Sequence, residues 1–420
     1  MQAVIAIPDL ETLKQYGGAK QALMREVCGV PLLVRTIKTG IRAGVKSIVV
    51  IWPSSVPESI WLCCQTALAS ECVDGITLVQ AESFRPRQTS AWTAIAPLLA
   101  ECFLWLPWNF VTHKRALLDL GATPVPPISW SQPVILEKVA VLFARRIRST
   151  PKQWVEGILV TSQQTARETE RFLVARSGKP LDGIYSTFNR KLCRPVVRLL
   201  SHTRVTPNAV TLAGLAVAIV GAWLFTRGFY AAYVAGAIMF FLSGLFDEMD
   251  GMLARIKFRE SAFGTWFEGF VDNATYLVVF AGMTAGLYHQ RGTPDLIYGV
   301  ALIAGCVLSV LVINLQRKRS TDPARPNEYL GKMYGLMESD SSNVISRVVR
   351  HIHVFLKKAV AIHYLLIFTV LGGLPVFLRL AALGSNLTWT LTIYFSFRFF
   401  RGPKRQVSRG AAPQTHAQAA

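Results

Sequence analysis

FDEMDGMLARIKFRESAFGTWFEGFVDN, residues 246–273, sets four acids at the adjoining ends of two apolar runs. On a helix, separations of three, four and seven residues return to one face, so Asp247, Asp250, Gly251 and Ala254 share a side. Gly264, Glu268 and Asp272 recur every four residues and share a side of the next helix. Two such helices facing each other would gather four carboxylates beside small residues that leave room for a ligand. Carboxylates within a membrane are costly unless paired, hydrated or bound to cations. Four of them, with no basic residue on the same faces, call for a hard divalent cation held through oxygen, Mg2+ or Mn2+, and such a cation would itself bind phosphate. Acids that merely end their helices in solvent would account for Asp247 alone, not for four in register with three small residues.

Outward from this segment the chain divides by composition. Of its 420 residues, 51% are hydrophobic and 17% charged, and the mean hydropathy is +0.35. The apolar excess lies after residue 205, and six runs there, 209–227, 229–247, 270–288, 295–315, 357–374 and 376–397, are each long enough or nearly so to cross about 30 Å of hydrocarbon. The net charge of +20 does not form one basic patch interleaved with aromatics, which argues against nucleic acid as a partner. Instead the basic residues flank apolar runs: Arg190, Lys191, Arg194, Arg198 and Arg204 before the first, Arg317 to Arg319 after the fourth, and Arg398, Arg401, Lys404 and Arg405 after the last. That pattern predicts an integral membrane protein in contact with anionic lipid, in the inner or plasma membrane of a bacterium, with both termini cytoplasmic. Residues 171–206 are basic and amphipathic, with Phe172, Leu173, Tyr185, Phe188, Val196, Val197 and Leu199 among the charges, and suit the bilayer surface. Residues 336–358 read as a second surface segment and 401–420 as a disordered tail.

The first 170 residues read as a soluble α/β domain. Apolar runs at 3–7, 47–51, 76–80, 103–106, 133–143 and 157–160 alternate with helical stretches, as in a parallel sheet covered on both faces. One such stretch places Leu32, Leu33, Ile37 and Ile41 on one face. Seven cysteines without a CxxC pair fit a reduced compartment, and the lack of a charged, apolar leader predicts that this domain stays in the cytoplasm.

The pattern Asp247-x-x-Asp250-Gly251-x-x-Ala254-Arg255, eight residues, Gly264-x-x-x-Glu268-x-x-x-Asp272 resembles the signature of the CDP-alcohol phosphatidyltransferase family. Every spacing matches. Glu268 departs from it, since the family usually has aspartate there; the charge is kept and the arm is one methylene longer. Thr206-Pro207-Asn208-x-x-Thr211 also resembles the Pro-Asn-x-x-Thr that family members carry beside the nucleotide. The resemblance implies that Asp247, Asp250 and Glu268, with Asp272 sharing, hold one or two metal ions on the diphosphate of a CDP-alcohol, CDP-diacylglycerol or a CDP-polyol. It implies Asp272 as general base on the acceptor hydroxyl. It also implies that Pro207, Asn208, Thr211, Gly251, Ala254, Arg255 and Gly264 line the nucleotide site, and that the chain forms a homodimer.

Val27 to Leu33, running into Arg35, Thr36 and Ile37, resembles sugar-phosphate nucleotidyltransferases. Their Gly-x-Gly-Thr-Arg loop is missing here: Gly17 and Gly18 come late, Lys20 is the one candidate for the loop lysine, and Asn109 stands where a metal-binding aspartate is expected. The layout resembles bifunctional enzymes that make CDP-inositol and then di-inositol phosphodiesters. The expected architecture is therefore an α/β Rossmann-like nucleotidyltransferase-type domain over 1–170, degenerate in catalysis, and an interfacial linker over 171–206. A six-helix membrane bundle over 207–400 follows. A catalytically inactive membrane scaffold is the competing expectation, and a transporter a weaker third.

Overall fold

The fold is a computed structural model that describes residues 2–68, 75–82, 84, 91, 95–100, 103–121, 157–178, 184–320, 349 and 358–400. It comprises two compact units, Met1–Val210 with Glu248–Thr265, and Thr211–Asp247 with Trp266–Ala420. The apolar run at 133–143, the surface segment at 336–358 apart from residues 349 and 358, and the tail at 401–420 lie outside the described residues.

The first unit begins β1 (Gln2–Ala6), α1 (Leu10–Lys14), α2 (Ala19–Leu23), β2 (Glu26–Val27), β3 (Val30–Pro31), α3 (Leu32–Arg42), β4 (Ser47–Pro53) and α4 (Glu58–Leu68). It continues β5 (Ile76–Ala81), β6 (Phe103–Trp105), β7 (Phe110–Thr112), α5 (Lys114–Gly121), β8 (Gly157–Leu159), α6 (Gln163–Arg176) and α7 (Ile184–Ser201). The parallel sheet has the order β5-β4-β1-β6, and β4 is buried from Ile48 to Pro53, as a strand covered on both faces must be. The run at 157–160 is a strand outside that sheet: β8 pairs antiparallel with β7. The 170/171 boundary falls inside α6, whose N-terminus is closed by a capping box of Ser162 and Thr165.

Chain order reverses between β1 and β6, and open α/β sheets take their ligands beyond the strand ends at such a point. Here Ile7, Leu106 and Trp108 are buried beyond those ends, and Tyr16 meets Trp108 edge-on with ring centroids 5.7 Å apart. Asn109 is buried too, and its Nδ2 donates to the Val160 carbonyl at 3.2 Å. Lys20 is exposed on α2. The expected apolar face of α3 is present, although Ile41 is only half-buried. The polar side of that helix is buried as well: Arg35, Thr36, Lys38 and Thr39 have almost no exposure.

The membrane-type helices are α8 (Pro207–Phe225), α9 (Tyr230–Ile256), α10 (Ala262–Arg291), α11 (Thr293–Ser320), α12 (Lys358–Val370) and α13 (Leu374–Phe400). Among the described residues, five of them, all but α12, are long and apolar enough to cross a membrane. The expected fifth span, 357–374, corresponds to α12, of which the 13 residues Lys358–Val370 are described. α9 and α10 run unbroken through the division between units.

The core of the second unit gathers Phe225, Phe240, Tyr276, Phe280, Met283, Leu365 and Leu378, with Phe240 and Tyr276 edge-on at 5.3 Å. Large apolar side chains also point outward, among them Trp223, Ile297, Leu311, Leu371 and Leu383, which suits lipid as the surrounding solvent. Gly282 and Gly286, one turn apart on α10, press on the carbonyl oxygens of Ala222 and Phe225 at the end of α8. A Cβ at either position would collide with backbone, so this small-xxx-small step fixes how closely the two helices approach. Gly286→Ala is expected to cost about 1–3 kcal/mol by overpacking. The check is the melting temperature of the detergent-solubilised chain, which should fall by several degrees.

Candidate active site

The acids lie within their helices, not at the ends the sequence suggested. α9 continues six residues past Asp250, and α10 begins six residues before Glu268. The turn at 257–261 between them is tight. The Arg259 amide donates to the Ala254 carbonyl at 2.9 Å and Phe258 takes a left-handed φ of +55°, the geometry of a C-terminal cap usually built on glycine. A bulky side chain in that region costs on the order of 1 kcal/mol. Ser261 opens α10 by accepting the Gly264 amide on its Oγ at 2.9 Å.

Asp247, Asp250 and Glu268 each offer a carboxylate oxygen, and the three oxygens lie within 4.8 Å of one another. Asp250 is 2% exposed, Glu268 is half-buried and Asp247 is exposed. Like charges at that spacing repel by kilocalories at an effective dielectric near about 20. A divalent cation would remove that repulsion, and a set of three carboxylates is the donor chemistry of Mg2+ or Mn2+. The residues therefore fit the implied ion. Asp272 is not in this group; it is half-buried one turn beyond Glu268 on α10.

The expected nucleotide-lining residues are placed on the same helices. Pro207 and Thr211 are buried at the start of α8, where the Thr206 hydroxyl accepts the Ala209 amide at 3.2 Å. Asn208 neighbours Gly264, where a Cβ would come 3.6 Å from the Asn208 Oδ1 and 3.0 Å from the Ser261 Oγ. Ala254 is half-buried, and Arg255 folds back beside Gly251 while its Nε donates to the Ser177 carbonyl.

Residues 204–394 match the family described as CDP-alcohol phosphatidyltransferase. The chain carries a CDP-alcohol phosphatidyltransferase domain. It is 32% identical to phosphatidylinositol phosphate synthase of Mycolicibacterium smegmatis over 131 residues, 31% of this chain and 56% of that one. It is 24% identical to the bifunctional IPC transferase and DIPP synthase of Aquifex aeolicus over 247 residues, 57% of this chain and 50% of that one. The chain thus spans about half the length of these relatives. Among solved structures, it is similar to phosphatidylinositol phosphate synthase of Mycobacterium tuberculosis in complex with manganese and citrate. That likeness has 19% identity and a TM-score of 0.36, covering 52% of this chain and 92% of that one.

Around the phosphatidyltransferase signature the structure adds partners that the spacing did not announce. Arg190 on α7 donates from Nε to the Glu248 Oε2 at 2.7 Å, a largely buried pair one residue from Asp247. Lys257 donates to the carbonyls of Thr203 and Val205 at 2.6 and 3.1 Å, and burial, then Arg259, lowers its pKa. Glu260 pairs with Lys114 at 3.3 Å and Arg42 at 3.6 Å. Beside them His113 is pushed down to about 4 by burial and then by Arg115, Lys114 and Arg176, so it is neutral at physiological pH. A Glu248 one residue after Asp247 and an Arg190 before the first span were the only visible signals of the first pair. Asp250→Asn is expected to weaken Mn2+ binding by tenfold or more. Manganese titration followed by electron paramagnetic resonance on the purified chain measures this, and unchanged affinity would exclude Asp250 as a ligand.

Proposed function

We propose that this chain transfers a phosphoalcohol group from a CDP-alcohol to an acceptor hydroxyl with release of CMP. The convergence of the Asp247, Asp250 and Glu268 carboxylates within 4.8 Å is the observation that carries this reading. Those three residues would hold one or two Mg2+ or Mn2+ ions. When bound, the metal neutralises charge on the diphosphate and on the departing CMP.

The remaining work falls to the chain's own groups. Asp272 accepts the acceptor's hydroxyl proton on a carboxylate oxygen as the new O–P bond forms and the P–O bond to CMP breaks. Its place one turn beyond Glu268 suits a base that stands beside the metal ligands, not among them. Gly251, Ala254 and Gly264 leave room for the nucleotide. Asn208, beside Gly264, and Pro207 with Thr211 form the start of the helix against which it would rest. Arg255 supports the turn or meets phosphate.

CDP-diacylglycerol is the favoured donor, since apolar helices and a relative named for phosphatidylinositol phosphate synthesis both suit a lipid. A CDP-polyol is the alternative, favoured by the longer match to the bifunctional relative. We place the site in an inner or plasma membrane with six crossings, α12 included, both termini cytoplasmic, and two copies forming a homodimer. α7 exposes Phe188, Leu192, Val196 and Leu199, spaced four, four and three apart with Leu199 at 70%, a stripe suited to the bilayer surface. The first domain is proposed to be inactive in nucleotidyl transfer, because Trp108 and Tyr16 pack beyond the strand ends and Asn109 is engaged with Val160. A scaffold without catalysis is disfavoured because Glu268, the one departure from the signature, still joins the carboxylate group.

The test is CMP release from membranes with Mg2+ or Mn2+ against a panel of CDP-alcohols and acceptors. Asp272→Asn should lower turnover by about 100-fold or more, with Mn2+ affinity retained within about threefold. Equal CMP release by wild type and variant would remove Asp272 from the chemistry. No release from wild type with any donor would favour the scaffold. Incubation of the full chain with CTP and polyol phosphates should yield no CDP-polyol; product formation would overturn the inactive reading of the first domain.

A further inference from the structure

We infer that the first domain serves as a brace for the catalytic turn, with Arg35 as the positioning residue that sets the spacing of the carboxylates on α9 and α10. This rests on the reading of those carboxylates as a metal site.

Residues 248–265 form one compact unit with the first domain, and Arg35 and Arg42 of α3 reach them. Arg35, 1% exposed, donates from Nη2 to the Ile256 carbonyl at 2.9 Å and from Nε to the Val27 carbonyl at 3.0 Å. Its guanidinium lies 5.1 Å from the centre of the Phe258 ring. The Ile256 carbonyl is one of the acceptors that a helix leaves unsatisfied at its C-terminus, where the helix dipole also favours a cation. Arg35 thus closes α9 and covers the one bulky residue in a left-handed conformation at the turn. Arg42 and Lys114 hold Glu260 two residues further on.

Sheet packing does not account for this arrangement. A crossover helix needs one apolar side against its sheet and leaves the other to solvent. The buried Thr36 and Thr39 hydroxyls of α3 are met within the first domain, at the Trp108, Phe110 and Arg35 carbonyls, whereas the buried Arg35 is met at the Ile256 carbonyl. Burying a guanidinium is costly unless its donors are satisfied, and part of that satisfaction comes from the catalytic turn.

The turn acts as the fulcrum for both helices. Asp250 and Glu268 each stand six residues from it, about 9 Å at 1.5 Å per residue. A change of about 5° in the angle between the helices would move each acid by about 0.8 Å, against a tolerance of about 0.2 Å in metal–ligand distance.

The experiment uses the full chain in detergent and two variants, Arg35→Lys, which keeps charge but loses the fork, and half-exposed Glu260→Gln. Hydrogen exchange across 256–262 should quicken by about fivefold or more in both, with α11 and α13 unchanged. The Mn2+ dissociation constant should rise by about tenfold, as loss of supporting contacts around metal ligands does elsewhere. CMP release should lose kcat more than donor KM. Folded variants with wild-type exchange and wild-type Mn2+ affinity would overturn the inference. A wild-type chain that binds no Mn2+ would overturn the reading of the carboxylates, and the exchange measurement decides the hold on the turn separately.

Discussion

Three carboxylates within 4.8 Å of one another, on largely apolar helices, are the constraint around which the rest is arranged. Such a group is unfavourable on its own, because each charge resists both desolvation and its neighbours. It persists only where the backbone leaves it no means of spreading apart. α9 and α10 provide that by running straight through the acids and joining in a five-residue turn. Further along α10, Gly282 and Gly286 let α8 approach to backbone contact, so the helix cannot rotate without a collision. The Arg190–Glu248 pair adds a fixed contact one residue from Asp247. Rigidity in packed helices here substitutes for what a loop-borne metal site would need from many more ligands.

The helical face of the signature was legible because spacing of three and four residues has one structural meaning on a helix. The parallel sheet was legible for a similar reason: short β-branched runs such as 47–51, bounded by turns, are what a strand covered on both faces requires. What escaped the sequence depends on distant contacts. Phe258 gives no local sign of a left-handed conformation, since such turns ordinarily take glycine. The burial of Arg35 has no local sign either, because its partner, the Ile256 carbonyl, lies more than two hundred positions away. The strand at 157–159 read as part of the main sheet because hydropathy carries no information on pairing direction. The run at 357–374 stops being helical earlier than its hydropathy suggested, since α12 ends at Val370 and the chain turns through Gly372 at a φ of +73°.

Glu268 shows how a departure from a signature is weighed once geometry is available. By type alone it keeps the charge and bears on metal geometry, since metal ligands tolerate small errors in reach. A methylene adds about 1.5 Å of arm, enough to break coordination if the backbone stayed where an aspartate requires it. Yet the Glu268 oxygen lies within 4.8 Å of those of Asp247 and Asp250. The longer arm has therefore been absorbed, either by its own rotamer or by the angle between α9 and α10. If by the angle, the turn that sets it must be held differently from a turn between two aspartate-bearing helices. A buried Arg35 on the Ile256 carbonyl and a strained Phe258 beneath its guanidinium are features of a turn held in an uncommon shape. The substitution at 268 and the contacts at 35 and 258 are then parts of one adjustment, and restoring aspartate at 268 alone would leave a carboxylate short of its partners.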